Sequence, residues 1–256
     1  MKVVPIALNT FRESVRDRVL YNLVLFVLLL VGASLILGEI SLSQETRIIV
    51  DGGLSVMSLF GVLIAIFIGI GLVYKEIDKR TIYSLLAKPI QRHEYILGKY
   101  FGLCFTLFVN TAVMAAAIAL ALLVKNGPGA MQWKILPASW LIFLELMVMT
   151  AIALLFSSFS SPALSALLAF FLFIIGRSSA DLKLFADAAG NGAVKWLCQG
   201  LYYLLPNLSN FNFIVETANE QVASPARLGG ATLYAGLYIT VLLSATILIF
   251  QKRNFK

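Results

Sequence analysis

The sequence predicts an all-α integral membrane protein with six transmembrane helices. Three observations lead to this prediction: the apolar composition, six long apolar stretches, and the concentration of basic residues on one side. Of the 256 residues, 60% are hydrophobic and only 13% are charged, whereas a soluble domain carries about 25% charged residues. The polar residues are too few to cover a globule, so lipid must solvate most of the chain.

Six stretches approach the ~20 apolar residues that a helix needs to cross a ~30 Å hydrocarbon core. They are 19–37, 54–74, 100–124, 139–156, 162–176 and 228–250. The fifth is short, and we expect it to run on to about Ala180. The pairs Ser161-Pro162 and Ser224-Pro225 predict helix starts, because serine is a favoured N-cap and proline suits the first helical position.

The basic residues orient these six predicted spans. Of the 20 Lys and Arg residues, four lie before span 1, six in the loop after span 2 and three in the C-terminal tail. The remaining seven fall on the other side. By the positive-inside rule, both termini are cytoplasmic, which requires an even number of spans. The net charge of +7 therefore reports membrane orientation, and we expect no nucleic-acid partner.

The N-terminal segment 1–18 predicts an amphipathic helix in the membrane interface. Apolar residues recur at three- and four-residue spacing on one side: Val4, Leu8, Phe11, Val15 and Val19. Arg12 and Arg16 fall on the other side with further polar residues. Such a helix either anchors span 1 in the bilayer or grips a cytoplasmic partner, and both roles fit the pattern.

The cytoplasmic segment 75–94 combines a cluster of charges with an apolar face. Three apolar residues share one side of a short helix-like stretch that Pro89 ends: Ile82, Leu85 and Leu86. Glu94 falls in the first turn of span 3, where the helix dipole favours an acid. A solvated loop has no need of such a face, so we expect it to contact another protein.

This segment resembles the loop between the first two hairpins of type-2 ABC transporter permeases. The residues that match that family's pattern are Glu76, Thr81, Leu85, Leu86, Pro89, Arg92, Glu94, Gly98 and Lys99. Arg80 stands where a glycine is usual, and Gln91 where a small capping residue is usual. In that family the loop holds the coupling helix that docks on the ATP-binding subunit. The resemblance therefore implies that these residues, with Ile82, couple the chain to a separate ATPase.

Two further stretches resemble the subgroup of the nitrous-oxide-reductase and multicopper enzyme maturation permease. Residues 9–18 are similar to its connecting helix, and residues 205–212 to its outer loop. The resemblance implies a single permease domain over residues 1–256, working as a homodimer or heterodimer of permeases with two ATPases. It also implies export across a bacterial cytoplasmic membrane, with ATP and magnesium bound by the partner subunit.

The predicted extracytoplasmic loop, 177–227, is expected to hold re-entrant or interfacial helices. Its stretch 194–205 is apolar and aromatic but too short to span the bilayer. Trp196, Tyr202 and Tyr203 suit the headgroup layer. They form either an aromatic anchor or a gate over the exit path, and the resemblance favours the gate.

Polar residues within the spans are the remaining candidates for a transport pathway. Glu145 lies six residues into span 4, and a carboxylate in a span is a functional candidate by default. It contacts a cavity or a partner, or makes a structural hydrogen bond, or reaches the outer interface. Ridges of small and polar residues step by four in span 2, in span 3 as far as Asn110, and in span 6. They predict tight helix packing, with a polar translocation seam as the alternative.

The sequence contains no recognisable catalytic or metal-binding motif. The one Gly-Lys pair, Gly98-Lys99, is followed by Tyr100 and lacks the glycine-rich loop of an ATPase. His93 is the single histidine, and Cys104 and Cys198 lie on different segments, so neither zinc nor copper has a cluster of ligands. We therefore expect no catalytic residue, no metal and no cofactor in this chain.

Two other functions stay open beside an ATP-driven permease. One is a secondary transporter driven by an ion gradient, with Glu145 as a proton-coupled carboxylate. The other is a non-transporting membrane scaffold that recruits an enzyme for maturation. The permease is the interpretation that also accounts for the apolar face in segment 75–94.

Overall fold

A computed structural model describes residues 3–14, 25, 29, 45–78, 91–127, 129, 131–179, 200 and 205–252. Predicted span 1 therefore lies almost entirely outside the described residues, as do residues 79–90, 180–199 and 201–204. Within the described ranges every regular element is a helix, which confirms the all-helical prediction.

Seven α-helices are described. They are α1 (Val3–Ser14), α2 (Glu45–Asp78), α3 (Arg92–Asn126), α4 (Met131–Ser157), α5 (Pro162–Arg177), α6 (Ile214–Ala218) and α7 (Pro225–Lys252). A short 3₁₀ helix, Leu208–Phe211, precedes α6. Helices α2, α3, α4 and α7 are long and apolar enough to cross a membrane, and α5 is a shorter apolar helix. Predicted spans 2 to 6 fall within these five helices, while the total of six and the cytoplasmic termini stay predictions.

The long helices begin earlier than the apolar stretches that predicted them. Helix α2 begins at Glu45, α3 at Arg92 and α4 at Met131, each eight or nine residues before the predicted span. A helix is held by its own backbone hydrogen bonds, which do not require apolar side chains. It can therefore extend from the hydrocarbon core into the headgroup layer, where the side chains are polar. Helix α5 ends at Arg177, so the expected extension to about Ala180 is wrong.

Helix α4 is the centre of the described bundle and packs against α2, α3, α5 and α7. A Cβ atom at Gly61 of α2 would lie 2.7 Å from the Leu146 side chain, and one at Gly69 would lie 3.2 Å from Ala153. The two helices therefore run side by side in the same direction. The small-residue ridge predicted in span 2 packs on α4, as the helix-packing interpretation expects.

Charged pairs mark the two ends of the bundle. Glu45 at the start of α2 binds Lys125 near the end of α3, so these neighbours are antiparallel. We call this the Lys125 end. At the opposite end, the Lys99 end, Lys99 Nζ lies 3.8 Å from the Glu13 carboxylate of α1. Tyr95 of α3 and Phe250 of α7 stack there with ring centroids 6.1 Å apart.

Helix α1 docks on α3 at the Lys99 end, through two glycines of α3. A Cβ atom at Gly98 would lie 2.7 Å from Ile6, and one at Gly102 would lie 2.6 Å from Thr10. A helix is therefore present over Val3–Ser14 of the predicted N-terminal segment, and it packs on α3. Its place in the membrane interface stays a prediction.

The apolar residues that predict this helix are partly exposed and partly packed on α3. Val4 and Leu8 are exposed, while the Phe11 ring lies 4.6 Å from the Phe105 ring of α3. Arg12 is exposed in the last turn, and Arg16 lies outside the described residues.

The ridge predicted in span 6 is different. Its members are exposed on α7: Thr232, Gly236, Thr240 and Ser244. The hydroxyl groups of Thr232, Thr240 and Ser244 each donate to the carbonyl four residues earlier. A Cβ atom at Gly236 would meet nothing within 4 Å. At one member, Thr232, the hydroxyl also accepts a hydrogen bond at 3.3 Å from the indole N–H of Trp140 of α4. The ridge is therefore largely exposed and is not a tight packing seam of the described bundle.

Candidate functional site

Helix α5 is too short to cross a bilayer alone. Its 16 residues span about 24 Å at 1.5 Å per residue, less than the ~30 Å hydrocarbon core. It follows α4 through the turn at residues 158–161 and runs back along that helix. Its last residue, Arg177, therefore ends beside the middle of the bundle, with a side chain 27% exposed.

Glu145 lies near the middle of α4. It is the fifteenth of 27 helical residues, which places it about 20 Å from either end of the helix. Its side chain is only 2% exposed. The expectation that Glu145 reaches the outer interface is therefore wrong, because α4 continues for eight residues before the predicted span.

Glu145 and three side chains from separate parts of the chain form one group of hydrogen bonds. Ser58 of α2 donates a hydrogen bond from Oγ to Glu145 Oε2 at 3.0 Å. Arg177 Nη1 donates to Ser58 Oγ at 2.8 Å and to Glu145 Oε1 at 3.3 Å. Arg177 Nη2 approaches Asn212 Oδ1 at 3.5 Å. We call Ser58, Glu145, Arg177 and Asn212 the polar cluster.

A second set of hydrogen bonds fixes the segment just before Asn212. Asn207 Oδ1 accepts from Ser179 Oγ at 2.6 Å and from Ser209 Oγ. The Asn207 backbone N–H donates to Tyr234 Oη of α7 at 2.8 Å. The segment is thus tied to the residues after α5 and to α7.

Gly176 lets the end of α5 approach this segment closely. A Cβ atom at Gly176 would lie 2.7 Å from the Pro206 carbonyl oxygen and 2.9 Å from Leu208. Backbone cannot rotate away as a side chain can, so glycine is required at this contact. Arg177, the next residue, is placed at the polar cluster by the same approach.

A second arginine holds Asn212 from the other side. Arg227, in the first turn of α7, donates from Nη2 to the Asn212 carbonyl oxygen at 3.1 Å. Its guanidinium also lies 4.6 Å from the centroid of the Phe213 ring. Asn212 is therefore held by two guanidinium groups, one from each flanking helix.

The polar cluster has the electrostatics of a buried ion pair. Glu145 and Arg177 neutralise each other, and Ser58 bridges both. Removing two charges from water costs several kcal/mol per ion, and the attraction between them roughly offsets that cost. Such a pair is a poor source of net stability, but loss of one partner is costly because the other charge stays buried. The cluster thus offers charge pairing between α4 and the end of α5, with Ser58 of α2 bonded to both charges.

The predicted pathway residues are not all brought together. Glu145 is in the polar cluster, whereas Asn110 is not. Asn110 is 2% exposed, and neither its amide nitrogen nor its oxygen has a hydrogen-bond partner among the described residues. Trp196, Tyr202 and Tyr203 lie outside the described residues, so the aromatic gate stays a prediction.

Most of the predicted coupling residues also lie outside the described residues: Thr81, Ile82, Leu85, Leu86 and Pro89. The residues that flank them are described. Glu76 belongs to the last turns of α2, Arg92 is the first residue of α3, and Glu94 lies in the first turn of α3. Because α2 and α3 are antiparallel neighbours, both flanks lie at the Lys99 end of the bundle.

Three members of the polar cluster escaped the sequence-based reasoning. Ser58 is an ordinary small residue within an apolar stretch, and Arg177 falls in the predicted outer loop. Asn212 closes the stretch 205–212 that resembles an outer loop of the permease subgroup. An arginine directly after an apolar stretch that is too short to span was the usable indication of a buried charge.

Comparison with protein families identifies a relationship over nearly the whole chain. A family model described as "ABC-2 family transporter protein" matches residues 4–255 of the chain. No curated protein matches the chain. The matched range includes every described helix from α2 to α7 and all but the first residue of α1.

Proposed function

The chain belongs to the ABC-2 family of transporter proteins, and from that premise we propose an ATP-driven exporter in which residues 75–94 couple it to a separate ATP-binding subunit. Membership makes the chain a multi-pass membrane permease component of an ABC transporter. It also implies that an ATP-binding subunit is the partner. The export direction, the coupling site and the stoichiometry are our proposal.

The observation that carries this proposal is the extent of the family match. It covers residues 4–255, nearly the whole chain, and the described part of that range is a bundle of apolar helices. A match confined to a few apolar helices would be weak evidence for the family, because unrelated apolar helices resemble one another by composition alone. This match also includes the polar segments between the helices.

The proposed coupling site is the apolar face of Ile82, Leu85 and Leu86. Its support is the position of its flanks at the Lys99 end, where α1 docks beside the start of α3. The positive-inside rule assigns that end to the cytoplasm, where an ATPase is found. The proposed topology has six spans, with α5 forming the larger part of the fifth, and two cytoplasmic termini in a bacterial inner membrane.

The proposed mechanism is a mechanical coupling of two conformations. ATP-driven closure of the partner subunits moves segment 75–94, and the bundle alternates between inward-facing and outward-facing states. Two permease copies, identical or related, form the pathway between them. ATP and magnesium stay on the partner, and this chain supplies no bond chemistry.

Purification of the chain from native membranes tests the proposal. We expect an ATP-binding subunit with a phosphate-binding loop to accompany it, and transport by the complex in vesicles to require ATP hydrolysis. Transport that runs on an ion gradient without ATP would contradict the proposal. So would a complex in which ATP changes neither transport nor the accessibility of the permease.

A secondary transporter with Glu145 as its proton carrier is the alternative that the structure bears on most. The Glu145 carboxylate has an arginine at 3.3 Å and a serine hydroxyl at 3.0 Å. The paired arginine favours the ionised form of the carboxylate, which opposes its protonation as long as the pair stays closed. This geometry favours a positional role for Glu145. Neither the scaffold role nor the nitrous-oxide-reductase subgroup gains support from the described contacts.

A further inference from the structure

The polar cluster connects two long helices, the end of α5 and the segment around Asn212. In the described structure, no other buried charge pair connects these parts of the chain. Ser58 and Glu145 belong to the long helices α2 and α4, while Arg177 ends the short helix α5. Asn212 lies between the 3₁₀ helix and α6, in the segment 205–218. We call residues 205–218 the cap segment. We propose that the Glu145–Arg177 pair is a latch that holds the cap segment closed on α2 and α4, and that this latch opens in one transport state.

The first argument is the way in which the cap segment is attached. Its helix α6 packs on α2 and α4, and Ile214, Thr217 and Ala218 are buried there. Asn212 is gripped by Arg177 through its side chain and by Arg227 through its carbonyl. Of these two arginines, Arg177 is the one that also binds α4, so its pairing with Glu145 ties Asn212 to the central helix.

The second argument is mechanical. The end of α5 and the cap segment are in backbone contact, because Gly176 lies against the Pro206 carbonyl. Ser179, two residues beyond α5, donates to Asn207 of the cap segment. A displacement of the end of α5 therefore moves the cap segment with it. When Arg177 leaves Glu145, both move away from α4 as one unit.

The third argument is energetic. A buried ion pair is a poor source of stability, and an apolar pair of similar volume does as well or better. Its best-documented use is to specify one arrangement against another. Arg177 is partly exposed, so it can exchange Glu145 for water, while Glu145 keeps the Ser58 hydroxyl when the arginine leaves. The pair can therefore open as well as close, which is what a latch requires.

The proposed function gives this latch its role in transport, but closure of the cap segment can be measured without transport. Thr217 of α6 is 0% exposed and serves as the reporter site. The variant Thr217→Cys is made after Cys104 and Cys198 are replaced by Ser, and the protein is reconstituted in lipid nanodiscs. A membrane-impermeant maleimide then reaches both faces of the bilayer, so the assay does not depend on the predicted orientation.

Glu145→Gln and Arg177→Gln each remove one charge of the latch. We expect maleimide to label the thiol introduced by Thr217→Cys at least about tenfold faster in either variant, which corresponds to a loss of about 1.4 kcal/mol from the closed state. Lys125→Gln is the matched control, since it removes one partner of the ion pair between α2 and α3. We expect labelling in that control to stay within about twofold of the parent, because Lys125 does not touch the cap segment.

The double variant Glu145→Gln/Arg177→Gln distinguishes a latch from the alternative that the single variants label faster only because they leave one charge buried without a partner. It leaves no uncompensated charge, so a structural role predicts labelling at the parent rate, whereas a latch predicts fast labelling. A folded protein is verified in each variant by a single elution peak and a cooperative melt. Parent-rate labelling in the double variant, or in both single variants, overturns the latch and leaves the permease assignment intact. A wild-type complex without ATP-dependent transport overturns the proposed function and leaves these labelling results unaffected.

Discussion

Gly102 of α3 lies so close to Ala7 of α1 that a methyl group at Gly102 would come within 2.6 Å of the Ala7 carbonyl oxygen. That carbonyl belongs to helical backbone and cannot rotate aside. The close approach explains why an N-terminal helix with exposed apolar residues has a fixed place on the bundle. Gly98, four residues earlier, makes the same kind of contact with Ile6, so the two glycines form one seat for α1.

Substitution of Gly102 by Ala should loosen α1 without harming the rest of the bundle. Overpacking of a tight contact costs about 1–3 kcal/mol, and here the cost falls on the docking of α1. We expect trypsin to cleave near Arg12 roughly tenfold faster than in the parent protein. A cost of about 1.4 kcal/mol makes the undocked state of α1 ten times more populated, and cleavage follows that population. Mass spectrometry of the released peptides measures this rate.

The control for the α1 seat is Gly236→Ala in α7. A Cβ atom there meets nothing within 4 Å, and alanine is the better helix former by about 1 kcal/mol. Cleavage near Arg12 should be unchanged in this variant. Equal cleavage rates for Gly102→Ala and the parent would show that α1 is not held by this contact.

Gly176→Ala should strain the contact between α5 and the segment that follows Pro206. The added methyl group would lie 2.7 Å from the Pro206 carbonyl and 2.9 Å from Leu208. We expect the free energy of unfolding to fall by about 1–3 kcal/mol. Each kcal/mol lowers Tm by roughly 2–4 °C in a protein of this size. Gly71→Ala, where a Cβ atom meets nothing within 4 Å, should leave Tm within about a degree. A Tm for Gly176→Ala as high as that of Gly71→Ala would contradict the close approach.

Two Ser-Pro helix starts should respond differently to loss of the serine hydroxyl. Ser224 Oγ accepts a hydrogen bond from the Arg227 backbone N–H at 3.2 Å, whereas Ser161 makes no side-chain cap bond. Loss of an N-cap hydrogen bond costs about 1 kcal/mol. Ser224→Ala should therefore lower Tm by a few degrees, and Ser161→Ala by clearly less, in thermal unfolding of the purified protein. The reverse order would show that the Ser224 hydroxyl does not cap α7.

The sequence was sufficient to predict the helical membrane class, five of the described helices and the N-terminal helix. Apolar stretches identify the part of a helix that lies in hydrocarbon, and this indication is strong over 18 residues or more. It does not report where a helix begins in the headgroup layer. Lys134 and Pro137 weaken the apolar pattern at the start of α4, although the helix includes both. For that reason the apolar pattern places Glu145 nearer the outer interface than the helix does.

The polar cluster could be predicted only in part. Glu145 was identified because a carboxylate within a span is costly. Its partners come from residues 87, 32 and 67 positions away in the sequence, and no periodicity relates them. Arg177 became a partner because α5 is short, which is a property of the packed bundle. Residues 79–90, which hold the predicted coupling face, lie outside the described residues, so that interpretation rests on the resemblance.

The most direct test of the central claim is the ATPase activity of the purified complex with Leu85→Asp/Leu86→Asp in the permease. Val222→Asp is the matched control, since Val222 is an exposed apolar residue in the loop that precedes α7. We expect the double variant to insert normally while stimulated ATP hydrolysis falls to the level of the isolated ATP-binding subunit, because aspartates cannot fill an apolar docking surface. The control should keep full stimulation. Full stimulation by the double variant as well would contradict coupling through residues 75–94.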